Sequence, residues 1–309
     1  MKIFLAGGTG VIGRRALPLL VGSGHQVSVL TRTQGKAAAV AAQGATPVDA
    51  SLFDRPSLVA AFAGHDSVIN LTTHIPPLSR SARASAWKEN DRIRSEGSAN
   101  VVAAALEVGA VRYVQESLAF NYDDHGSAWI DEEEPLLDTA ITRSVRHVEA
   151  SVDRFAAAGG IGVVLRFGQF YAAEASHTQS MLKGARRGWS MMPGAGDAYM
   201  VTIAADDAAS AVAAALEAPA GTFNIVDSDP VTRDAWSAAM ASAVGRDHLR
   251  SVPGFVTGLI AKKSPNLVSS QRVSNRRFVA ATGWEPRYPS FREGIAAAAG
   301  ASSSVASAS

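Results

Sequence analysis

Two groups of residues near the N-terminus have the types and spacing to do chemistry. The first is Gly7-Gly-Thr-Gly10-Val11-Ile12-Gly13, directly after the apolar run Ile3-Phe-Leu-Ala and directly before a helix-like apolar segment. At a strand-to-helix turn, Gly10 lets the backbone approach a pyrophosphate and Gly13 lets the helix pack close to the strand. A helix starting there offers unpaired N–H groups and the positive end of its dipole to phosphates. Gly7, Gly10, Val11, Ile12 and Gly13 are therefore the expected phosphate cradle of a dinucleotide.

The second group selects the nucleotide. Where this arrangement selects NAD, an acid at the end of the second strand bonds the ribose 2′-hydroxyl. Here that strand ends in Leu30-Thr31-Arg32-Thr33, Lys36 follows four residues after Arg32, and no Asp or Glu occurs before Asp49. Cations without an acid suit a 2′-phosphate, which arginine grips through paired hydrogen bonds. The expected cofactor is NADP(H), held by Arg32 and Lys36, with Arg14 and Arg15 adding positive charge.

The elements that must position these groups alternate. Strands are expected at 2–6, 26–31, 45–48, 67–71, 112–115 and 161–166, with helices near 11–22, 34–43, 55–63, 84–108 and 138–158. This is the α/β pattern of a doubly wound parallel sheet, a Rossmann fold. Beyond it, 168–198 shows no clear period, 199–216 reads as a strand end and a helix, 222–226 as a strand, and 231–244 and 269–282 as helices. The expected division is a dinucleotide-binding domain at 1–166, to which 199–226 returns. A smaller C-terminal substrate lobe takes 167–198 and 227–298, and a disordered, Ala/Ser-rich tail takes 299–309.

The chain has 309 residues, 47% of them hydrophobic, enough for a large core. It has no cysteine, and its seven histidines include no His-x-x-x-His pair, so no metal site is expected. A net charge of +1 suggests neither nucleic acid nor membrane as a partner. No apolar run reaches membrane-spanning length, and glycines interrupt the apolar start as a signal core. A cytoplasmic enzyme with a small-molecule substrate is expected, as a monomer or homodimer.

These motifs resemble the extended, atypical branch of the short-chain dehydrogenase/reductase superfamily (NAD-dependent epimerase/dehydratase-like) over residues 1–298. The glycine motif, Asp66-Ser-Val-Ile-Asn70-Leu71-Thr72-Thr73-His74, Arg166-Phe-Gly-Gln-Phe-Tyr171, Val201-Thr-Ile-Ala-Ala-Asp206-Asp207 and Gly283-Trp284-Glu-Pro286 follow the family's order. The resemblance implies that Asp49 or Asp54 meets the adenine and that Leu71, Thr72 and Thr73 lie beside the nicotinamide ribose. The family's acid/base chemistry rests on a Tyr-x-x-x-Lys pair on one helix, with a helping Ser and often an Asn.

In this chain that helix contains Arg143 to Phe155. Anchored on Glu149, the Tyr position falls on Ile141 and the Lys position on Val145; a shift of one gives Thr142 and Arg146. The Asn position falls on Arg94, and the Ser survives as Ser117. Without the pair, Tyr122 after the fifth strand, His74 in the turn after the fourth, or water would supply the proton. Glu116 has an alternative use in pairing Arg94 or Arg112.

The expected function is an NADP(H)-dependent oxidoreductase that reduces a carbonyl or related group. Phe167, Phe170, Tyr171, Trp189, Met191 and Met192 suit a fairly apolar substrate. The alternatives are a non-redox epimerase, dehydratase or isomerase, and an NmrA-like sensor that binds NADP without turnover. Arg272, Arg276 and Arg277 read as a solvated basic face interrupted by a Ser274-Asn275 helix cap. Val101, Val102, Ala105, Val148 and Val152 offer an apolar face for a dimer of the two long helices.

Overall fold

A computed structural model of the chain describes residues 1–76, 83–137, 140–190, 192–263 and 265–306. In chain order the first elements are β1 (Lys2–Ala6), α1 (Gly13–Gly22), β2 (Gln26–Thr31), α2 (Gln34–Ala41), β3 (Thr46–Asp49), α3 (Arg55–Phe62) and β4 (Ser67–Asn70). After the described gap come α4 (Lys88–Arg92), a π-helical turn (Ile93–Gly97), α5 (Ser98–Glu107), β5 (Arg112–Leu118), β6 (Trp129–Ile130), α6 (Ala140–Ala157) and β7 (Ile161–Phe167). The remainder holds β8 (Gln169–Tyr171), α7 (Ser176–Arg186), β9 (Thr202–Ala204), α8 (Ala205–Ala214), β10 (Gly221–Ile225), α9 (Arg233–Ala243) and α10 (Gly254–Lys263). It ends with β11 (Arg272–Val273), α11 (Arg276–Thr282) and α12 (Phe291–Ala306).

Seven strands form one Rossmann-like sheet in the order β10-β7-β5-β4-β1-β2-β3. The β1–β2, β1–β4, β2–β3 and β4–β5 pairs are parallel, with Leu5 opposite both Val29 and Ile69. The order reverses between β1 and β4, and the crevice beyond the strand ends at such a reversal is where this architecture binds ligands.

The chain divides into two compact units: 1–117, 140–166 and 209–223 form the first, and 118–139, 167–208 and 224–309 form the second. Residues 118–139 thus leave the dinucleotide-binding domain expected to hold them, as do 199–208 and 224–226. In the first unit, Phe4, Leu58, Phe62, Val101, Val102, Ala105, Tyr113, Val152 and Phe155 share one core. Burying one such large apolar side chain contributes about 1.5–3 kcal/mol. Val101, Val102, Ala105, Val148 and Val152 are all buried within this single chain. The apolar face expected to form a dimer interface is therefore already covered, by the packing of α5 on α6 and the sheet.

In the second unit, α9 packs on α12, with the Trp236 ring stacked on Phe291 at 5.2 Å and Tyr171 meeting Phe291 edge-on at 4.9 Å. Two short parallel pairs, β6–β11 and β8–β9, complete it. Two expectations are corrected here. Residues 272–273, inside the expected helix 269–282, pair with Trp129 and Ile130 as β11, and the helix begins only at Arg276. The tail expected from 299 is helical to Ala306, because Phe291, Ile295 and Ala299 bury one stripe at i, i+4 spacing and anchor an Ala-rich helix. Residues 307–309 lie outside the described residues. Among the described residues, no helix is long and apolar enough to cross a membrane.

Candidate functional site

The glycine turn is built by close backbone approach. Gly7 has φ +86°, and a Cβ there would lie 2.7 Å from the carbonyl carbon and oxygen of Leu71, the residue after β4. A Cβ on Gly13 would stand 2.2 Å from the Gly7 oxygen, and one on Gly8 would stand 2.6 Å from the Val29 side chain. The Gly10 N–H donates to the Gly7 carbonyl at 2.9 Å and closes the turn. Val11 and Ile12 complete it, and α1 starts at Gly13 without a side-chain cap; the Arg14 N–H donates to the Gly10 carbonyl at 3.1 Å, and the Arg15 and Ala16 N–H groups donate to the Ile12 carbonyl at 2.9 Å. Gly8 belongs to the same glycine cluster but lies off its three-residue spacing, so no cofactor contact was expected of it.

Arg32 directly follows β2 and Lys36 lies in the first turn of α2, which Thr33 caps by accepting the Lys36 N–H at 3.4 Å. Both cationic side chains are exposed. Asp49 ends β3 in register with Thr31 and is also exposed, whereas Asp54 stands at the N-cap of α3. Asp49 is thus beside the strand end that carries Arg32, and Asp54 is tied to a helix start. Arg15 turns back to donate to the Val11 carbonyl at 2.9 Å.

Beyond β4 the turn is set by Asn70. Its Oδ1 accepts from the Thr72 N–H at 3.1 Å and from the Thr72 hydroxyl at 2.5 Å, while its Nδ2 donates to Gln115 Oε1 at 3.0 Å. Leu71, Thr72 and Thr73 are therefore held against the glycine turn by a fully buried amide. The His74 N–H donates to Asn90 Oδ1 at 3.1 Å, and the residue is exposed. Nothing in the sequence spacing connects Asn90 with His74.

The remaining catalytic candidates have structural partners. Ser117 is buried and donates to Glu149 Oε1 at 2.7 Å; Arg166 holds that carboxylate through Nε and Nη2, both at 2.8 Å. Tyr122 is fully buried with Ala119, Ile130, Val201, Val226 and Val273, and its hydroxyl donates to Asn224 Oδ1 at 2.8 Å. The hydroxyl expected to serve as a proton donor thus has a structural partner within the second unit. Glu116 pairs with Arg94, the first of its two expected partners. On α6, Val145 is buried while Arg146 and His147 are exposed. No tyrosine in the chain is followed four residues on by a lysine.

Of the apolar substrate-lobe candidates, Phe167 and Tyr171 are buried core residues, Met192 packs against the α9–α12 core and Trp189 is exposed. Met191 lies outside the described residues. The expected solvated basic face is partly engaged. Arg272 stacks on Trp129 at 4.1 Å, Arg276 lies 5.0 Å from the same ring, and Arg277 pairs with Glu133 at 2.6 Å. Asn275 does cap α11 by position, and Ser274 Oγ accepts the Arg276 N–H. A shallow cavity of about 400 Å³ lies among Lys2, His25, Gln26, Thr46 and His65, where β1, β2 and β3 begin, so it is at the opposite strand ends from the glycine turn.

A family model described as NAD(P)H-binding matches residues 7–219. The chain belongs to that family. A 3-diazoavenalumate denitrifying reductase from Streptomyces sp. is 30% identical over 307 residues, covering 96% of this chain and 99% of the relative. Among solved structures, human epimerase family protein SDR39U1 with NADPH superposes with TM-score 0.79 at 24% identity, covering 97% of this chain and 99% of that one. UDP-glucose 4-epimerase from Thermotoga maritima, with UDP-glucose, has TM-score 0.79 at 20% identity over 99% of this chain and 100% of its own. These structures show the shared fold. The family model and the full-length reductase relative make this an oxidoreductase-type, NAD(P)-binding chain. The glycine turn fits such a cofactor, since its close approaches admit no Cβ at Gly7 or Gly13.

Proposed function

We propose that this protein is an NADP(H)-dependent reductase acting on a carbonyl or related group of a small, fairly apolar molecule. The observation that carries this reading is the pair of exposed cations, Arg32 and Lys36, at the end of β2, with no acid before Asp49. Gly7, Gly10, Val11, Ile12 and Gly13 would hold the pyrophosphate, Arg32 and Lys36 the 2′-phosphate, and Asp49 the adenine end. Leu71, Thr72 and Thr73 would hold the nicotinamide ribose. The full-length reductase relative supports redox chemistry, and the NADPH bound to the human neighbour supports the choice of nucleotide. When bound, NADPH supplies a hydride.

The proton then comes from His74 or from water. His74 is exposed on the turn after β4, and an imidazole is the side chain most often used to transfer a proton. Ser117 acts at a distance, by fixing Glu149 and Arg166 behind β5 and β7. A second reading, an NADP-binding sensor without turnover, is favoured by one observation: Ser117 and Tyr122 both spend their hydroxyls on structural partners.

The test is NADPH oxidation over a panel of small aromatic and aliphatic aldehydes and ketones, with wild type and His74→Ala. Turnover that falls at least about tenfold in His74→Ala supports the reductase with His74 as donor, that being the low end for a positioned acid/base group. Turnover unchanged by the substitution assigns the proton to water. Tight NADPH binding with no turnover across the panel supports the sensor.

A further inference from the structure

Helix α10 turns an apolar stripe outward. Phe255 is 81% and Leu259 59% exposed, and Gly258 and Lys262 are exposed with them. At i, i+3, i+4 and i+7 these four residues share one face of the helix. Val256, Thr257, Ile260 and Ala261, on the other side, are half-buried, and the helix packs on the 3-10 turn Pro265–Leu267. A helix apolar on both sides belongs in a core or against another apolar phase. Its ten residues make about 15 Å, too short to cross a bilayer but enough to lie along one.

The surroundings carry one sign of charge. Residues 183–190 and 246–262 hold Lys183, Arg186, Arg187, Arg246, Arg250 and Lys262 against a single acid, Asp247. All six cations are exposed, and among the described residues no ion pair engages them. The two segments are joined. Arg246 Nε and Nη2 donate to the Arg186 carbonyl at 3.0 and 2.6 Å, the Arg250 N–H donates to the Gly188 carbonyl at 2.8 Å, and the Ser190 N–H donates to the Arg250 carbonyl at 2.8 Å. The Arg250 guanidinium lies 5.8 Å from the ring of Trp189, itself 41% exposed. Arg250 is five residues from Phe255, at most about 18 Å of chain, and Lys262 stands on the apolar stripe itself.

This combination selects what covers the helix. A second copy meeting the stripe would set its own cations against these, and like charges repel. An anionic bilayer brings the opposite charge to the cations and an apolar interior to Phe255 and Leu259. Lys262 can bury its methylenes there and keep its ammonium among the headgroups. Phe255 protrudes, and a fluid bilayer accepts a protruding ring without a matching groove. The net charge of +1, which gave no reason to expect a membrane partner, averages this patch away.

We propose that the outward stripe of α10, with the basic segments 183–190 and 246–250, docks this protein reversibly on the surface of an anionic lipid bilayer.

The experiment is co-sedimentation of the full-length protein with vesicles of equimolar phosphatidylglycerol and phosphatidylcholine, and with vesicles of phosphatidylcholine alone. The wild type should sediment with the anionic vesicles, stay in solution with the neutral ones, and be released by added salt. Phe255→Ser and Leu259→Ser should each weaken the association at least about tenfold. Lys262→Glu tests the charge independently of the apolar side chains and should also weaken it. All three replace exposed side chains, so melting temperature and NADPH binding should stay at the wild-type values. Failure of the wild type to sediment with anionic vesicles overturns the proposal, as does equal association with neutral ones or association unchanged by Phe255→Ser and Leu259→Ser. A wild-type dimer in sedimentation velocity that Phe255→Ser dissociates would assign the stripe to a second copy and overturn it too.

Discussion

Arg94 donates through Nη2 to both carboxylate oxygens of Glu116, at 2.6 and 2.9 Å, with the two side chains only 1% and 4% exposed. Arg94 sits in the π-helical turn and Glu116 immediately precedes Ser117 on β5, so the pair ties a distorted helix to the strand end beside the Ser117–Glu149 bond. Burial pushes the Glu116 carboxyl up, and the Arg94 charge and hydrogen bond pull it back. Removing one partner leaves the other charge buried and alone, which costs about 3–5 kcal/mol. Glu116→Gln and Arg94→Ala should each lower the urea midpoint accordingly, whereas the double variant Arg94→Met/Glu116→Leu should recover most of the loss.

Gly13→Ala should abolish measurable nucleotide binding, because the new Cβ would lie 2.2 Å from the Gly7 oxygen and the turn must open. Gly22→Ala provides the contrast. It lies at the end of the same helix with nothing within 4 Å of an added Cβ. It should be neutral or stabilise by up to about 1 kcal/mol. Parallel NADPH titration and thermal melts check both.

Tyr122→Phe should act on stability and leave chemistry alone. It leaves Asn224 Oδ1 unmet in the core, at a cost of about 1–3 kcal/mol. The checks are a urea denaturation curve, which should shift, and the KM for NADPH, which should not.

Asp227 gives a pH signature. Burial pushes its carboxyl well above the usual range, the Thr202 hydroxyl pulls it down, and the charges of Asp207 and Glu293 push it up again. The folded state therefore holds this proton more tightly than the unfolded chain does. That contribution to stability is complete below the unfolded value near 3.8 and is lost as pH rises through the raised native value. Asp227→Asn has no proton to lose. Its stability relative to wild type should rise as pH is taken from about 4 to neutrality, as followed by melting temperature.

The first half of the fold was legible because buried parallel strands such as 3–6 and 163–165 read as unbroken apolar runs, punctuated by glycines with one conformational use. The second half was not. Arg272 and Val273 look helical locally, and only their pairing with Trp129 and Ile130, far away in the chain, makes them a strand. Likewise α7 is amphipathic but predominantly polar, so 168–198 read as irregular, and α10 carries only a weak apolar stripe. The glycine turn and the Arg32–Lys36 pair could be found from spacing alone. The partners of Ser117 and Tyr122 could not, because Glu149 and Asn224 reach them from other elements.

In the proposed function, Arg32 and Lys36 select a 2′-phosphate. Titrating the protein with NADPH and NADH, followed by energy transfer from its five tryptophans to the nicotinamide, tests it most directly. NADPH should bind at least about tenfold tighter than NADH, a difference of about 1.4 kcal/mol, and Arg32→Asp should erase the difference by weakening NADPH. Equal binding of the two nucleotides by the wild type, or equal weakening of both in Arg32→Asp, would contradict it.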